Sequence, residues 1–557
     1  NNMKIEMIMK KNILFLAMSA ALLTSSCSDF LDVQPEGNAT INAYFLNDQQ
    51  AIDAVDGLYE RFHQEALYGR ELFWEQGAAC DVVWGRTRSY TDLALFTNDA
   101  SSSTPLNGIF ETLYKVIARS NWVIKGLLNK EKKVALTPVE TRSLGEAYFT
   151  RGWAHFLVAY RYGLPEQGVP FVRYEDFEGD YDYSIPPQQK SVQDNYRMII
   201  EDMDWAIERL PRLEDYDAEN VGRAHDAAAV AFKAKVYAYW ATWEPEKWKD
   251  VITMVNDLES TYHRNLAGSL DEVFSSDFAD FYNEEYIWAI PGNGGSNGGG
   301  SEFPGVILEN KGWGKYNGWG QNKPSYDIYE EMRKDGEGNA RLVRSILEYN
   351  QEFQFFGETR RFYSSSDIEA GFMINKYMDP FKHKDPTAGY INSNGDWPTA
   401  RINFPVIRFA EMLLFRAEAY LMTKQADKAW TDLNRIHKRA CGRDLDSPAP
   451  ATMAQLYHER RCELAFEFTD HLFDLKRWHR SSNAEIKALA QKELNATPRV
   501  RIYEERSNPE SNYRIGTYAM FNEVSKATYE DYRMVFPYPY QQVVNSNGKL
   551  KQNPGYN

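Results

Sequence analysis

Cysteine is scarce: the 557 residues carry only Cys27, Cys80, Cys441 and Cys462. Four in so long a chain cannot be a disulfide scaffold. No two have CxxC spacing, and none is read as having histidine partners at zinc-ligand spacing. A Cys441–Cys462 bridge and two single buried thiols both suit an exported chain. Positive charge is short as well, 63 Lys+Arg against 79 Asp+Glu for a net −16. That balance argues against nucleic acid and against a polybasic hold on anionic lipid. Long apolar runs are missing; the stretch from Ile13 to Leu23 falls well short of the ~20 residues a membrane-spanning helix needs.

Catalytic motifs are absent too. The nine histidines form no HExxH, and there is no Gly-x-Ser-x-Gly elbow or Walker loop. The Gly-rich run after Ile290 opens no helix that would cradle phosphate. Glu459, Glu463 and Glu467 recur at helical spacing beside Arg460, Arg461 and Arg477. They read as a structural ion-pair network rather than the carboxylate pair of a glycosidase. Lys476-Arg477 with His479-Arg480 reads as a solvated face. Asp277 and Asp280 are too ordinary a pair to signal Ca²⁺, so no cofactor or metal is expected, and no catalysis.

What is present is a globular balance, 43% hydrophobic and 25% charged, with an aromatic content of 14%. Lys10 and Lys11, the apolar run and Thr24-Ser25-Ser26 before Cys27 describe a secretory signal. The small residues ahead of Cys27 resemble a lipobox, which makes Cys27 the expected lipidation site; an ordinary signal peptide with an incidental cysteine is the plainer reading. Between Thr40 and Leu258 the pattern is mainly helical, interrupted from Ala78 to Pro105. Ala227, Ala231, Ala234, Ala238 and Ala241 put a stripe of methyl groups on one helix face. Ala147, Trp153, Phe156, Leu157 and Tyr160 form another apolar face, stopped by Gly163 and Pro165. Helical periodicity returns after Pro405, turns at Thr423–Gln425, and resumes near Thr452 with Leu456, Cys462, Ala465 and Phe466. Paired amphipathic helices with short turns suggest degenerate tetratricopeptide-like hairpins; a non-repetitive bundle is the alternative. From Tyr262 to Asn403 strand-like runs such as Tyr286–Ile290 alternate with Gly, Asn, Pro and Ser.

These segments, in order, resemble the SusD/RagB family of surface lipoproteins. The resemblance is carried by Cys27-Ser28-Asp29-Phe30-Leu31, Glu146-Ala147-Tyr148-Phe149 with Arg151, Tyr162-Gly163, and Gly222-Arg223-Ala224. It continues through Lys376-Tyr377, Asn403 to Arg408 with Glu411, Glu459-Arg460 with Glu463 and Glu467, Asp474-Leu475, Arg477-Trp478 and the tail Gln552 to Tyr556. It implies a mainly α fold, a tetratricopeptide-like helix-pair superhelix against an irregular loop-rich half with short strands. The implied layout is a signal peptide over 1–26, an N-terminal helical part over 27–261 with a binding-loop insertion, a loop-rich ligand-binding part over 262–403 and a C-terminal helical part over 404–557. It also implies a non-catalytic lipoprotein on the outer-membrane surface, anchored in lipid through Cys27. Such a protein binds oligosaccharide and delivers it to a SusC-like TonB-dependent transporter; some relatives serve peptide uptake instead.

A sugar ring offers an apolar C–H face to a flat aromatic and hydroxyls to amides and charged groups. Trp313 and Trp319, each between glycines, with Tyr316 between them, are the expected platforms, because flanking glycine gives an indole nothing local to pack on. Trp84, Arg86 and Tyr90 form a second candidate cluster and Trp397 an outlying one, while Trp288 reads as core.

Overall fold

A computed structural model describes residues 44–75, 81–83, 92–102, 105–171, 173–176, 187–292, 303–308, 318–363, 370–383, 400–517 and 526–556. Its frame is a succession of helices: α1 (Asp48–Phe62), α2 (Pro105–Glu131), α3 (Pro138–Tyr162), α4 (Val192–Ile207), α5 (Asp226–Trp240) and α6 (Trp248–Ser260). After the loop-rich part come α7 (Phe409–Met422), α8 (Ala426–Cys441), α9 (Met453–Glu463), α10 (His471–His479) and α11 (Ala484–Leu494). Each helix from α2 to α8 packs on the next, with α6 meeting α7 across the intervening segment. That is how helix hairpins bury faces they cannot cover alone.

Local chemistry sets the ends. Thr137 and Glu140 form a capping box at the start of α3, with Pro138 at its first position. Thr452 and Gln455 do the same for α9. α3 is buried along almost its whole length, Trp153 stacking on Phe62 with ring centroids 4.2 Å apart. Gly152 lets α4 approach, since a Cβ there would sit 2.9 Å from Met203 Cε. The alanine stripe is buried as read, but Ala228 and Ala229 are buried too, so α5 is enclosed on several sides.

The remainder is irregular. Among the described residues ten short strands form five antiparallel pairs: β1 (Val82–Val83) with β3 (Lys323–Pro324), β2 (Tyr286–Ile290) with β8 (Phe404–Arg408), β4 (Ile346–Glu348) with β7 (Phe372–Ile374), β5 (Glu352–Phe355) with β6 (Glu358–Arg361), and β9 (Arg499–Tyr503) with β10 (Tyr513–Thr517). The β2–β8 pair brings Tyr286 opposite Arg408 and seats Trp288 against Phe149 and Trp153, which accounts for its burial. No helix among the described residues is long and apolar enough to cross a membrane.

Arg408 joins the two halves electrostatically. Its guanidinium lies 2.5 Å from Glu285, 2.8 Å from Glu463 and 2.7 Å from Glu467, all of them buried. Arg439 also pairs with Glu285 and Glu463, Lys376 with Glu467, and Arg341 with Glu459. Burial alone would raise the Glu463 carboxyl, but Arg439, Arg408 and Arg341 outweigh it and hold it well below the carboxylate range. The network is therefore present with other partners than sequence proximity suggested. Arg460 serves Asp474 and Glu411, Arg461 serves Asp81, and Arg477 serves Glu418. Nor does Glu467 share the helix with Glu459 and Glu463. α9 ends at Glu463, and the chain turns through Phe466 at φ +66 before Glu467 reaches Arg408. The expected solvated face at Lys476-Arg477 is buried, because α10 is covered by Phe536 on one side and by Tyr239 and Phe415 on another.

Candidate functional site

Of the sequence-predicted aromatics, Trp319 lies among the described residues; Trp313, Tyr316, Trp84, Arg86, Tyr90 and Trp397 fall outside them, as does Cys27. Trp319 is half-buried. Its ring sits 6.2 Å from that of Trp74, tilted by 44°, and the Arg70 guanidinium lies 4.9 Å from the Trp74 ring and 5.7 Å from the Trp319 ring. Arg70 is held by Glu65 at 2.9 Å and Glu71 at 2.8 Å. A cation over indole faces, itself fixed by carboxylates, is a rigid amphipathic surface.

The glycines around Trp319 have structural reasons of their own. Gly318 lies so close to Leu308 and to the Gly305 carbonyl that no Cβ fits, and Gly320 adopts φ +62, the left-handed region. The Trp319 amide donates to Gly305 O at 3.2 Å. Flanking glycine thus docks this tryptophan on the Phe303–Ile307 helix as well as sparing it local neighbours. Trp74 and Arg70 were beyond sequence reasoning: Trp74 sits in a short helix, Glu71–Glu75, whose apolar run looks like core.

The same Phe303–Ile307 helix follows β2 after the Gly-rich stretch, and at the end of β2 opens a cleft of about 760 Å³. Its walls come from α1, the 216–223 turn, the Phe278–Phe281 helix and the end of β2. Tyr59 donates to Glu146 at 2.8 Å and accepts from the Ala224 amide, while Arg223 spans Asp56 and Glu146. These bonds fix the polar wall. Opposite, Arg401 lies 4.3 Å over the Phe278 ring and has no carboxylate partner among the described residues. Tyr282 accepts from Asn403 at 3.2 Å. Burial pushes His63, on the rim, down to about 4, so it is neutral at pH 7. Aromatic faces, a half-committed guanidinium and a neutral imidazole, with the carboxylates of Asp56, Asp217 and Glu219 also in the lining, suit a polyhydroxylated ligand. Asp277 accepts from the Ala279 amide as a helix cap, an ordinary use for that carboxylate.

Two family models cover most of the chain. The SusD family matches residues 342–556, and a family described as starch-binding, associating with outer membrane, matches residues 29–238. The chain belongs to the SusD/RagB family. A SusD-like protein of Bacteroides ovatus is 24% identical over 500 residues, 85% of this chain and 83% of that one. A crystal structure of a SusD-like protein from Bacteroides fragilis superposes with a TM-score of 0.71 at 19% identity, over 92% of this chain and 98% of that one. Surface glycan-binding protein A from Bacteroides fluxus gives 0.66 at 21% identity, over 92% and 100%. The mainly helical SusD architecture expected from the sequence is therefore the one found. Within it, Arg151, Lys376, Arg408, Glu463, Glu467 and Arg477, which carried the sequence resemblance, are buried ion-pair partners and line neither candidate surface.

Of the two readings left open for the cysteines, the structure has the unbridged one: Cys441, half-buried, and Cys462, buried, are free thiols. Cys441 and Cys462 each follow a histidine by one helical turn, His437 and His458, and Cys462 Sγ lies 3.9 Å from His458 Nδ1.

Proposed function

We propose that this SusD-family protein is a non-catalytic, surface-exposed lipoprotein, anchored in outer-membrane lipid through Cys27. In this reading it binds oligosaccharide and passes it to a SusC-like TonB-dependent transporter. Family membership and the outer-membrane association of the matched family support the setting. A relative of the same fold named as a surface glycan-binding protein supports the ligand class. The observation that carries the reading is the half-exposed Trp319 ring braced by Trp74 and Arg70. Along the chain, Trp313 and Tyr316 lie within six residues of Trp319, and Trp84, Arg86 and Tyr90 follow Trp74 within sixteen; in this reading they contact the same glycan. The cleft under Arg401 would take a branch or a chain end.

Affinity electrophoresis against a polysaccharide panel tests this. Retardation by at least one glycan, lost in Trp319→Ala and reduced in Trp313→Ala and Trp84→Ala, is expected. A chain that ignores every glycan and binds oligopeptides instead would place it with the peptide-uptake relatives. Co-purification of a transporter with the tagged lipoprotein from native membranes tests the partner.

A further inference from the structure

Two arginines line the cleft at the end of β2, and they are used differently. Arg223 is committed: its guanidinium reaches Asp56 at 2.7 Å and Glu146 at 3.3 Å. Arg401, half-buried beside the Phe278–Phe281 helix, makes no hydrogen bond and no ion pair among the described residues; it rests on the Phe278 ring at 4.3 Å. A guanidinium carries five N–H donors and no acceptor, so the ring holds one side of Arg401 while its donors go unmatched. Trp288 lines the same cleft, and its buried Nε1–H also has no acceptor among the described residues. An indole nitrogen likewise only donates. What this part of the lining lacks is therefore an acceptor.

The backbone that carries Arg401 is fixed. Ile402 and Asn403 are buried; the Gly292 amide donates to Asn403 Oδ1 at 3.2 Å, and Asn403 Nδ2 donates to the Tyr282 hydroxyl at 3.2 Å. A Cβ at Gly292 would sit 2.2 Å from the Ile402 carbonyl oxygen, so glycine is what lets the two segments close up. Arg401 and Tyr282 thus stand on a stiff base, which spares a ligand the entropy of ordering them. The acids of the lining are served or face water. Asp56 has Arg223, Asp217 accepts from the Glu219 and Asn220 amides and the Asn220 side chain, and Glu219 is exposed. All three belong to α1 and the 216–223 turn, so an anion is turned away from that wall and meets its counter-charge at Arg401.

We propose that the saccharide group taken by this cleft is acidic, its oxyanion held by the Arg401 guanidinium with Phe278 and Tyr282 beside it. The inference rests on the oligosaccharide reading given above and narrows it to glycans bearing uronate carboxylates or sulfate esters. Guanidinium suits either, because paired N–H groups match two oxygens of one anion. A neutral sugar offers the cation hydroxyls alone, a weaker match. The chain carries a net −16, so long-range steering opposes a polyanion. The contact at Arg401 acts at short range and selects the group rather than speeding its arrival.

The test uses the full chain and the polysaccharide that retards it in affinity electrophoresis. That polysaccharide is compared with itself after carbodiimide–borohydride reduction, which turns uronates into neutral hexoses, and after solvolytic desulfation. Linkage and backbone stay the same, so charge alone is varied. Wild type should bind one of the neutralised forms about 10- to 100-fold more weakly than the native glycan. Which treatment does so tells carboxylate from sulfate. Arg401→Gln should bind the native glycan as weakly as wild type binds the neutralised one, with no further loss on neutralisation. Its melting temperature should be unchanged, since Arg401 holds no ion-pair partner in the fold. Arg401→Lys should recover part of the affinity. Trp319→Ala should weaken native and neutralised forms alike, which separates this inference from the general saccharide reading. A ligand that is a neutral glycan, equal binding before and after both treatments, or wild-type affinity in Arg401→Gln overturns the acidic assignment and leaves the saccharide reading standing. A wild type that binds no glycan overturns both.

Discussion

Lys476 offers a sharp test of the electrostatic reading. Its side chain is buried in α10, with Nζ 4.1 Å from the Phe536 ring centroid and 4.8 Å from that of Phe473, and no carboxylate among the described residues lies within ion-pair distance. Burial pushes the ammonium from 10.5 down to about 7, against the more distant attraction of Glu75. The unfolded chain therefore binds a proton that the folded chain has half lost at neutral pH, and stability rises with pH from about 7 to about 10.5. The whole span corresponds to roughly 5 kcal/mol, of which roughly 4 kcal/mol is still a cost at pH 7. Lys476→Met keeps the length of the side chain and removes the charge. It should stabilise the protein by about 1–4 kcal/mol at pH 7, because cation–aromatic attraction recovers only part of the desolvation. Urea unfolding midpoints of wild type and variant at pH 7 and pH 10 read this out. The gain should shrink toward pH 10. A variant destabilised at pH 7 by the same amount as at pH 10 would refute the reasoning and make Lys476 a net-stabilising cation.

Arg408→Met removes the cation shared by Glu285, Glu463 and Glu467 and should cost about 3–5 kcal/mol at pH 7. Because the Glu463 carboxyl is held below its ordinary 4.5, its stabilising share is present above that pH and lost below it, so the deficit should narrow in acid unfolding profiles. Gly318→Ala forces a methyl against Leu308 and the Gly305 carbonyl. It should cost about 1–3 kcal/mol by thermal denaturation and change tryptophan emission as Trp319 shifts.

The helical frame was legible because its signals are local. Capping residues at Thr137 and Thr452, the stop at Gly163 and the alanine stripe of α5 each act within one or two turns. The resemblance to the family rested on residues that the structure places in buried ion pairs, such as Arg408 with Glu463. Their pairing was not legible. Arg408 and Glu467 are 59 positions apart, and proximity along the chain pointed to Arg460 and Arg461 instead. Lys476 looked solvated because sequence shows its charge but not the rings that close over α10 from Phe536. The candidate site was only partly legible. Glycine around Trp319 suggested display, yet Gly318 and Gly320 are also demanded by docking and backbone conformation, while the bracing partners Arg70 and Trp74 come from about 245 positions earlier.

Isothermal titration of the glycan that retards the wild type, repeated on Trp319→Ala, tests the central claim most directly. Loss of a braced indole face should weaken binding by about 1–3 kcal/mol, roughly 5- to 150-fold, with unchanged melting behaviour. Wild-type affinity in Trp319→Ala, in a protein that still binds the glycan, would contradict the account and move the sugar site away from the Trp319–Trp74–Arg70 surface.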